Sequence, residues 1–455
     1  MTVRLDSTSD LLAQVSDHSV SLVEMAESVR QAAEDAAPLN SLVDGWQSGL
    51  VDRAASCAAG PLHGLPVVAK DVFDVAGMPT SGGTAALAGR VIGADAGVVA
   101  RLREAGAFIA AKNTMHELSF GITTNNTFSG PARNPFDPTR IPGGSSGGTA
   151  VAVARGIAPV GLAADTGGSS RIPAAFCGLV GFRPSHGRYP ADGIVPISHT
   201  RDTAGIIART VDEIALVDQV LSSERPSAFS TADLRGARFG APAEFWADLH
   251  PEVERVCRAA LDALTAAGAE VVEVSVQELQ DFIDEIAVPI CLAEMRPDLF
   301  EYLARTGGHV TVEQVAERVS SPDVVGLMAA VMAWDQDDEV HRALMEKRAE
   351  LRGAYARLLD EQRLAALVFP TTPCPPPPIG DDETTEFLGQ DVPTFPLVVR
   401  HANLGGVAGH PGISVPAGQT SAGLPVGIEL DARVDADREL LSLAAALEKL
   451  LRAAG

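Results

Sequence analysis

Two Gly-Gly-Ser-Ser tetrads, at residues 143–146 and 167–170, constrain this 455-residue chain more than any other feature. The first runs into Gly147-Gly148 and an apolar helical pattern, and the second follows an apolar strand pattern that ends at Asp165. Glycine lets the backbone approach a ligand closely, and consecutive N–H groups at a strand end can bind an anion or stabilise an oxyanion. A serine beside those donors has the arrangement that acyl transfer needs.

Other interpretations of the tetrads stay open on the residues alone. Gly-Ser tetrads also form ordinary turns and flexible loops. A nucleotide site is disfavoured, because the Gly-x4-Gly-Lys-Ser/Thr pattern is absent. Residues 143–147 match the Gly-x-Ser-x-Gly nucleophile elbow of α/β-hydrolases, but that elbow needs a strand directly before it. The preceding segment, ARNPFDPTRIP, contains three prolines and fits no strand.

A serine nucleophile needs a base, and Lys70 is the candidate. Lysine occurs only four times, against 31 arginines, and unlike arginine it can lose its proton. Lys70 ends the apolar strand pattern LPVVAK, where burial would favour the neutral amine. The alternative, that Lys70 is a surface ion-pair partner of Asp71 or Asp74, stays open at this point.

Strand and helix patterns alternate along the chain, which predicts an α/β fold. The strand patterns cover residues 65–70, 107–113, 156–165, 269–276, 367–370, 412–416 and 424–430. The helical patterns cover residues 20–36, 95–105, 208–222, 251–267 and 436–453, and most of 277–364 with breaks near Gly307-Gly308 and Ser321-Pro322. The proline-rich, acidic segment 371–386 is interpreted as a surface loop within one domain.

Composition and motif spacing disfavour several classes of partner and site. The formal net charge of −24 disfavours binding to nucleic acid or to an anionic membrane surface. Five scattered cysteines without a Cys-x-x-Cys pair argue against disulfides and structural zinc. His116-Glu117 lacks the second histidine of a metalloprotease motif. No apolar run reaches the roughly 18 residues of a membrane span, and the N-terminus lacks a signal-peptide pattern, so we expect a cytoplasmic protein.

Residues 140–183 resemble the signature of the amidase signature family of serine hydrolases. The resemblance extends through 61–77, 113–138 and 181–205, continues more weakly at 368–380 and 403–418, and leaves 225–365 largely uncovered. MHELSFGITTNN, GRYPADGIVPISHTRDTAG and GLPVGIELDA look most like bacterial indoleacetamide and mandelamide hydrolases. The family implies a single large domain over residues 1–455, with a mixed sheet flanked by helices on both faces.

The resemblance also implies a Ser–Ser–Lys triad. Ser169 matches the nucleophile, Ser145 the bridging serine after a cis peptide bond from Gly144, and Lys70 the general base. The matching oxyanion hole consists of the backbone N–H groups of Thr166, Gly167, Gly168 and Ser169. The loop 120–126 resembles a pocket wall, with Gly121, Ile122, Thr123 and Asn125 as candidate substrate contacts. Supporting roles are expected for Lys112, Arg171, Arg183 and Asp202, and a packed core position for Cys177.

The implied activity is hydrolysis of a small carboxylic acid amide to the acid and ammonia through a Ser169 acyl-enzyme. The subgroup favours a neutral amide with an aromatic acyl part, and region 277–365 is expected to shape the substrate pocket. No metal or organic cofactor is implied. The open alternatives are hydrazides or substituted amides as substrates, a glutaminase subunit of an amidotransferase, and a catalytically silent binding protein. A homodimer through the helical N-terminus is also left open.

Overall fold

A ten-stranded sheet runs through the protein, with the strand order β2-β1-β5-β7-β6-β13-β14-β10-β8-β9. The computed structural model describes residues 5, 7–222, 224, 228–307, 310–335 and 337–454. The strands are β1 (Pro66–Lys70), β2 (Phe108–Asn113), β3 (Asn125–Asn126), β4 (Gly130–Pro131), β5 (Val160–Asp165), β6 (Val180–Arg183), β7 (Thr203–Ala208), β8 (Arg238–Pro242), β9 (Glu270–Val274), β10 (Ala366–Pro370), β11 (Thr384–Phe387), β12 (Gln390–Pro393), β13 (Gly412–Gln419) and β14 (Pro425–Asp431). β3–β4 and β11–β12 form separate two-stranded ribbons.

Helices connect the strands and cover the sheet. They are α1 (Thr8–Ser16), α2 (Leu22–Asp35), α3 (Leu50–Ala55), α4 (Gly97–Glu104), α5 (Gly147–Ala154), α6 (Arg171–Phe176), α7 (Val211–Ser222), α8 (Pro251–Ala266), α9 (Gln277–Arg305), α10 (Val312–Arg318), α11 (Pro322–Ala333), α12 (Asp338–Glu361), α13 (Thr394–Val399), α14 (Asn403–Ala408) and α15 (Asp437–Ala454). α2 begins at a capping box in which Ser21 and Glu24 bond each other's backbone N–H.

The period-two alternation of strand residues explains why helices lie on both faces. In β1, Val67 and Ala69 pack into the hydrophobic cluster that includes α4 and α7, whereas Val68 packs into the cluster of α2 and α5. Lys70 follows Val68 on that second face. β1 pairs in parallel with β2 and β5, so their carboxyl ends meet at one edge of the sheet. That edge carries both Lys70 and Asp165.

The α/β prediction with a mixed sheet and helices is confirmed: β1, β2, β5, β8 and β9 join parallel ladders, and β6, β7 and β13 join antiparallel ones. Three sheet strands, β6, β7 and β8, were not predicted. The predicted helix 208–222 begins only at Val211, because Ala208 still belongs to β7. The predicted strand 156–165 begins at Val160, because the chain first turns at Gly156 after α5.

The predicted helical region is confirmed as α9 to α12, with Pro322 in the first turn of α11. Of the predicted break at Gly307-Gly308, Gly307 follows α9 and Gly308 lies outside the described residues. The segment 371–386 is a loop until Thr384, where the β11–β12 ribbon begins. Throughout the described ranges, no helix combines the length and apolar character needed to cross a membrane.

Candidate active site

Lys70 is completely buried at the end of β1, and its Nζ lies 2.7 Å from the Oγ of Ser145. Among the described residues, no carboxylate oxygen lies within 4 Å of Lys70 Nζ, so Lys70 forms no ion pair there. Burial lowers the pKa of Lys70 to about 7, and the negative charges of Asp202 and Asp165 oppose that shift only in part. Lys70 is therefore partly uncharged near neutral pH.

The surface ion-pair alternative for Lys70 is wrong. Asp71 is paired instead with Lys112, whose Nζ lies 2.9 Å from Asp71 Oδ1. Asp74 Oδ1 accepts a hydrogen bond of 2.8 Å from the Tyr302 hydroxyl. Lys112 Nζ also donates to the carbonyl oxygen of Phe73 at 2.7 Å, which agrees with its expected supporting role.

The first tetrad places Ser145 in a fully buried position next to the backbone of Ile122. The Gly144-Ser145 peptide bond is cis, as the resemblance implied, and both serines of the tetrad are fully buried. Gly144 is needed there, because a Cβ atom at this position would lie 2.7 Å from the carbonyl carbon of Ile122. No strand precedes the tetrad, since residues 132–146 contain only coil, bends, turns and an isolated bridge at Arg140, and the nucleophile-elbow interpretation is therefore wrong.

Thr124 holds the first tetrad from the side, a role that was not predicted. Its Oγ1 donates to the carbonyl oxygen of Gly143 at 2.7 Å and accepts from the N–H of Gly147 at 3.2 Å. Thr124 lies between two predicted pocket residues in the sequence. The sequence did not show whether its side chain would line the pocket or bind the backbone of the tetrad.

The second tetrad forms a tight turn between β5 and α6 around the carboxylate of Asp165. The N–H of Gly168 donates to Asp165 Oδ1 at 2.7 Å, and the hydroxyl of Ser170 donates to Oδ2 at 2.7 Å. Gly168 has φ +122°, which only glycine adopts without strain. Ser169 is half-buried, and in the described part of the chain its hydroxyl has no hydrogen-bond partner.

These bonds distinguish the predicted oxyanion donors from one another. The N–H of Gly168 is already bound to Asp165, whereas no side chain of the described residues accepts from the N–H groups of Thr166, Gly167 or Ser169. The structure brings Lys70 and Ser145 into contact, but it shows no hydrogen bond between the hydroxyls of Ser145 and Ser169. The assignment of the triad and the oxyanion hole therefore stays a prediction.

Asp165 is the charged anchor of the second tetrad. Burial opposes its ionisation, but the guanidinium groups of Arg171 and Arg183 hold the pKa of Asp165 well below its usual range. Arg171 bonds both carboxylate oxygens, at 3.0 and 3.1 Å, and also contacts Glu429. Arg183 bonds the Asp165 carbonyl oxygen and, at 3.3 Å, that of Gly406. The expected supporting role of both arginines agrees with this geometry.

Asp202 supports the turn from the other side. Its Oδ1 accepts from the Thr166 hydroxyl at 2.6 Å, and its Oδ2 accepts from the N–H groups of Ile197 and Ser198 at 2.7 and 3.0 Å. Burial raises the pKa of Asp202. The carboxylate thus connects the loop 197–202 to a predicted oxyanion residue.

Arg201 and Asn403 are neighbours of this turn that sequence reasoning missed. Arg201 donates to the Thr166 carbonyl oxygen at 3.2 Å, to Asn403 Oδ1 at 2.9 Å and to the Ala287 carbonyl oxygen at 2.6 Å. A Cβ atom on Gly167 would lie 2.8 Å from Asn403 Oδ1. Both residues lie in segments that resemble the family. Their contact could not be predicted from neighbouring residues, because they are more than 200 positions apart in the chain.

The predicted pocket residues follow the short helical turn at residues 117–119: Gly121, Ile122 and Thr123 lie in a loop, and Asn125 begins β3. Ile122 is buried and its backbone lies against Gly144. Thr123 Oγ1 accepts from the N–H of Asn125 at 3.2 Å, and Asn125 Nδ2 donates to Asp382 Oδ2 at 2.6 Å. The loop is thus adjacent to Ser145, as a pocket wall would be.

Cys177 is buried, and burial raises the pKa of its thiol, in agreement with the expected core position. Cys57, Cys257, Cys291 and Cys374 are likewise free thiols.

Comparison with known proteins identifies the class to which this fold and site belong. Residues 28–441 match the Amidase family. The chain is 38% identical to an indoleacetamide hydrolase of Agrobacterium vitis, over 99% of this chain and 98% of the relative. It is 36% identical to a mandelamide hydrolase of Pseudomonas putida, over 86% and 79% of the two chains. A solved amidase structure superposes with a TM-score of 0.85 at 32% identity, covering 97% of this chain and 99% of the other.

The chain belongs to the amidase family, and it is an enzyme that hydrolyses amides. The resemblance found in its motifs and the expected class of reaction are both confirmed.

Proposed function

We propose that this amidase hydrolyses a small neutral amide with an aromatic acyl group, through an acyl-enzyme on Ser169. The observation that carries the proposal is the 2.7 Å contact between Lys70 Nζ and Ser145 Oγ in a fully buried site next to the second tetrad. A lysine with a pKa of about 7 is partly uncharged at neutral pH, and the uncharged amine has a free electron pair that can accept a proton. The hydroxyl within reach of this amine is that of Ser145.

In the proposed reaction, the Ser145 hydroxyl gives its proton to neutral Lys70 and receives the proton of Ser169. The Ser169 oxygen attacks the amide carbon, and N–H groups of the 166–169 turn stabilise the resulting oxyanion. Each well-placed donor contributes about 3–4 kcal/mol in well-studied hydrolases. The proton returns through Ser145 to the leaving nitrogen, the C–N bond breaks and ammonia departs. Water then attacks the acyl-enzyme, restoring Ser169 and releasing the acid.

An apolar side chain beside the second tetrad supports an apolar acyl group. A Cβ atom on Gly168 would lie 2.7 Å from Ile172 Cδ1, and Ile122, whose backbone lies against Gly144, is buried. Both isoleucines belong to one buried cluster. The activities after which two relatives are named agree with this, since indoleacetamide and mandelamide are neutral amides with an aromatic acyl part.

The helical region 277–365 contacts the site at two places, which supports its proposed role in shaping the pocket. From α9, Ala287 and Cys291 bind Arg201 next to Thr166. At the start of α11, the N–H groups of Ser320 and Ser321 donate to the buried carboxylate of Glu117 at 3.1 and 2.8 Å. This second contact holds α11 next to the pocket loop 121–125.

Ammonia release from a panel of amides tests the proposal. The panel is indoleacetamide, mandelamide, benzamide, glutamine and a hydrazide followed by hydrazine release. Wild type should release ammonia from the aryl amides, and Ser169→Ala should lose the activity by a factor of about 10³ or more. Ser170→Ala is the matched comparison: its hydroxyl is bound to Asp165, so it should lower stability while retaining most of the reaction.

Each outcome has a distinct meaning. Activity of Ser169→Ala close to wild type would overturn the nucleophile assignment. Activity confined to the hydrazide would move the substrate to another acyl–nitrogen bond, and activity confined to glutamine would favour a glutaminase subunit.

Two further proposals concern the cellular location and the oligomeric state of the enzyme. We propose a cytoplasmic location, because five free thiols are typical of a protein in a reducing compartment. A homodimer remains a proposal that light scattering of the purified protein would test directly.

A further inference from the structure

A second cluster of ionisable side chains lies where a loop and two helices of the helical region meet. His199 belongs to the loop between β6 and β7, Glu294 to α9 and His341 to α12. One ligand atom from each of these side chains lies within 4.8 Å of the other two. They line a cavity of about 210 Å³ together with Asp298, one turn after Glu294 on α9.

The two imidazoles converge on the same carboxylate. His341 Nε2 lies 2.9 Å from Glu294 Oε1, and His199 Nδ1 lies 3.7 Å from Glu294 Oε2. His199 Nδ1 also lies 3.0 Å from both carboxylate oxygens of Asp298. In a tetrahedral zinc site with bonds of about 2.0–2.2 Å, neighbouring ligand atoms are about 3.4 Å apart. The two histidine–Glu294 separations lie on either side of that value, and one ligand atom of each of the three residues lies within 4.8 Å of the other two, so side-chain shifts would bring these atoms to a common ion.

Glu294 is held in place as a metal-binding carboxylate needs to be. It is only 1% exposed, and its Oε2 accepts from the hydroxyls of Ser198 and Thr200. These bonds orient the carboxylate and leave Oε1 directed at His341. In the described part of the chain, no lysine or arginine lies within 4 Å of this buried carboxylate, and the basic side chains nearest to it are the two imidazoles.

We propose that His199, Glu294 and His341 form a binding site for a divalent transition-metal ion of the zinc class, with water completing the coordination. Two imidazoles with carboxylate oxygens favour such an ion over calcium or magnesium, which prefer oxygen ligands alone. The side chains of His199 and His341 are 58% and 36% exposed, so the ion has a path from solvent.

A metal at this site would join α9, α12 and the loop 197–202. That same loop holds the Thr166 side chain through Asp202. The site stands independently of the proposed hydrolytic mechanism, since none of its three residues belongs to the predicted triad. Its expected effect is to restrain the loop rather than to take part in bond breaking.

Zinc titration by isothermal calorimetry of metal-free full-length protein tests the proposal. We expect one zinc ion per chain and a raised melting temperature. Co²⁺ used as a probe should show the visible absorption of a low-symmetry site with nitrogen ligands. His341→Ala and His199→Ala should each weaken zinc binding about tenfold or more, since even outer partners of such sites change affinity by about 10–100-fold. His18→Ala, at an exposed histidine outside the cluster, is the matched control and should bind as wild type does.

Absence of stoichiometric zinc binding to wild type would overturn the proposal. So would equal affinity of wild type, His341→Ala and His199→Ala, because the zinc would then be bound elsewhere. Two separate ligand variants keep the test decisive if one of them fails to fold, and His199 is the safer of the two because its side chain is mostly exposed. Circular dichroism establishes folding before titration. Ammonia release is measured in parallel, so failure of the metal site and failure of the proposed activity remain distinguishable.

Discussion

Lys70→Met should change the pH dependence of stability in a way that reports directly on the proposed base. In wild type the ammonium of Lys70 is fully buried, and its pKa falls from 10.5 to about 7 on folding. Methionine has a similar length and no ionisable group. The difference between the unfolding free energies of wild type and variant therefore isolates the titration of one side chain, because all other groups are shared.

The sign and the size follow from linkage. Below pH 7, Lys70 is protonated in both the folded and the unfolded chain, and its contribution does not vary with pH. Between pH 7 and 10.5 the unfolded chain binds the proton and the folded chain does not, so wild-type stability rises with pH. Each pH unit corresponds to about 1.4 kcal/mol. Relative to Lys70→Met, wild type should gain about 2 kcal/mol between pH 7 and 9, somewhat less than two full units because Lys70 is half protonated in the folded chain at pH 7.

Urea unfolding of both proteins at about pH 6, 7, 8 and 9 measures this difference. Lys449→Met removes an exposed lysine and controls for the loss of a surface charge. A difference between wild type and Lys70→Met that stays constant from about pH 7 to 9 would refute the reasoning, because Lys70 would then keep its proton in the folded state. The variant should also fail to release ammonia at every pH.

Three further predictions concern the same site. For wild type, kcat/KM should rise about tenfold per unit as pH increases towards 7 and then level off, because only neutral Lys70 accepts a proton; a pH–rate profile measures this. Arg171→Met leaves the buried carboxylate of Asp165 without its bidentate partner and should lower the free energy of unfolding by about 3–5 kcal/mol, measured in urea. Asp202→Asn should lower kcat by about tenfold while leaving KM nearly unchanged, because Thr166 loses its charged acceptor next to the oxyanion turn; steady-state kinetics separates the two constants.

Controls and contrary results are available for each. Arg235→Met breaks an exposed ion pair with Asp233 and should cost no more than about 1 kcal/mol, so an equal loss for Arg171→Met would contradict the anchoring role. A pH–rate profile that is flat from about pH 5 to 8 would contradict the lysine base. For Asp202→Asn, an increase in KM alone would place the residue in substrate binding instead of in support of the turn.

Local sequence patterns predicted much of this protein. Strand β1 and its terminal Lys70 could be read from an apolar run that ends in a rare lysine, and α9 to α12 could be read from helical periodicity. The tetrads were visible as repeated glycine and serine pairs. Glycine is required where one backbone segment comes close to another, as at Gly144. These features depend on neighbours within a few positions, which is the range over which a pattern carries information.

Other elements were missed for reasons of context. β6 and β7 are short apolar segments of the kind that pattern alone cannot assign, and they become strands by pairing with each other and with β5 and β13. The acidic residues Glu429 and Asp431 lie in the otherwise apolar strand β14. They contact the guanidinium of Arg171, which is more than 250 positions earlier in the chain, so their role could not be read from neighbouring residues.

The sequence by itself determined the fold class, the family motifs and the residue types available for chemistry. Only the tertiary structure decided which of those residues meet. It buried Lys70 beside Ser145, with no carboxylate oxygen of the described residues within ion-pair distance of its Nζ. It bound the N–H of Gly168 to Asp165. It also brought His199, Glu294 and His341 together from three separate elements. The physical reason is that burial and contact between distant segments set the proton affinity and the ligand geometry of a side chain, and neither is encoded by its neighbours in sequence.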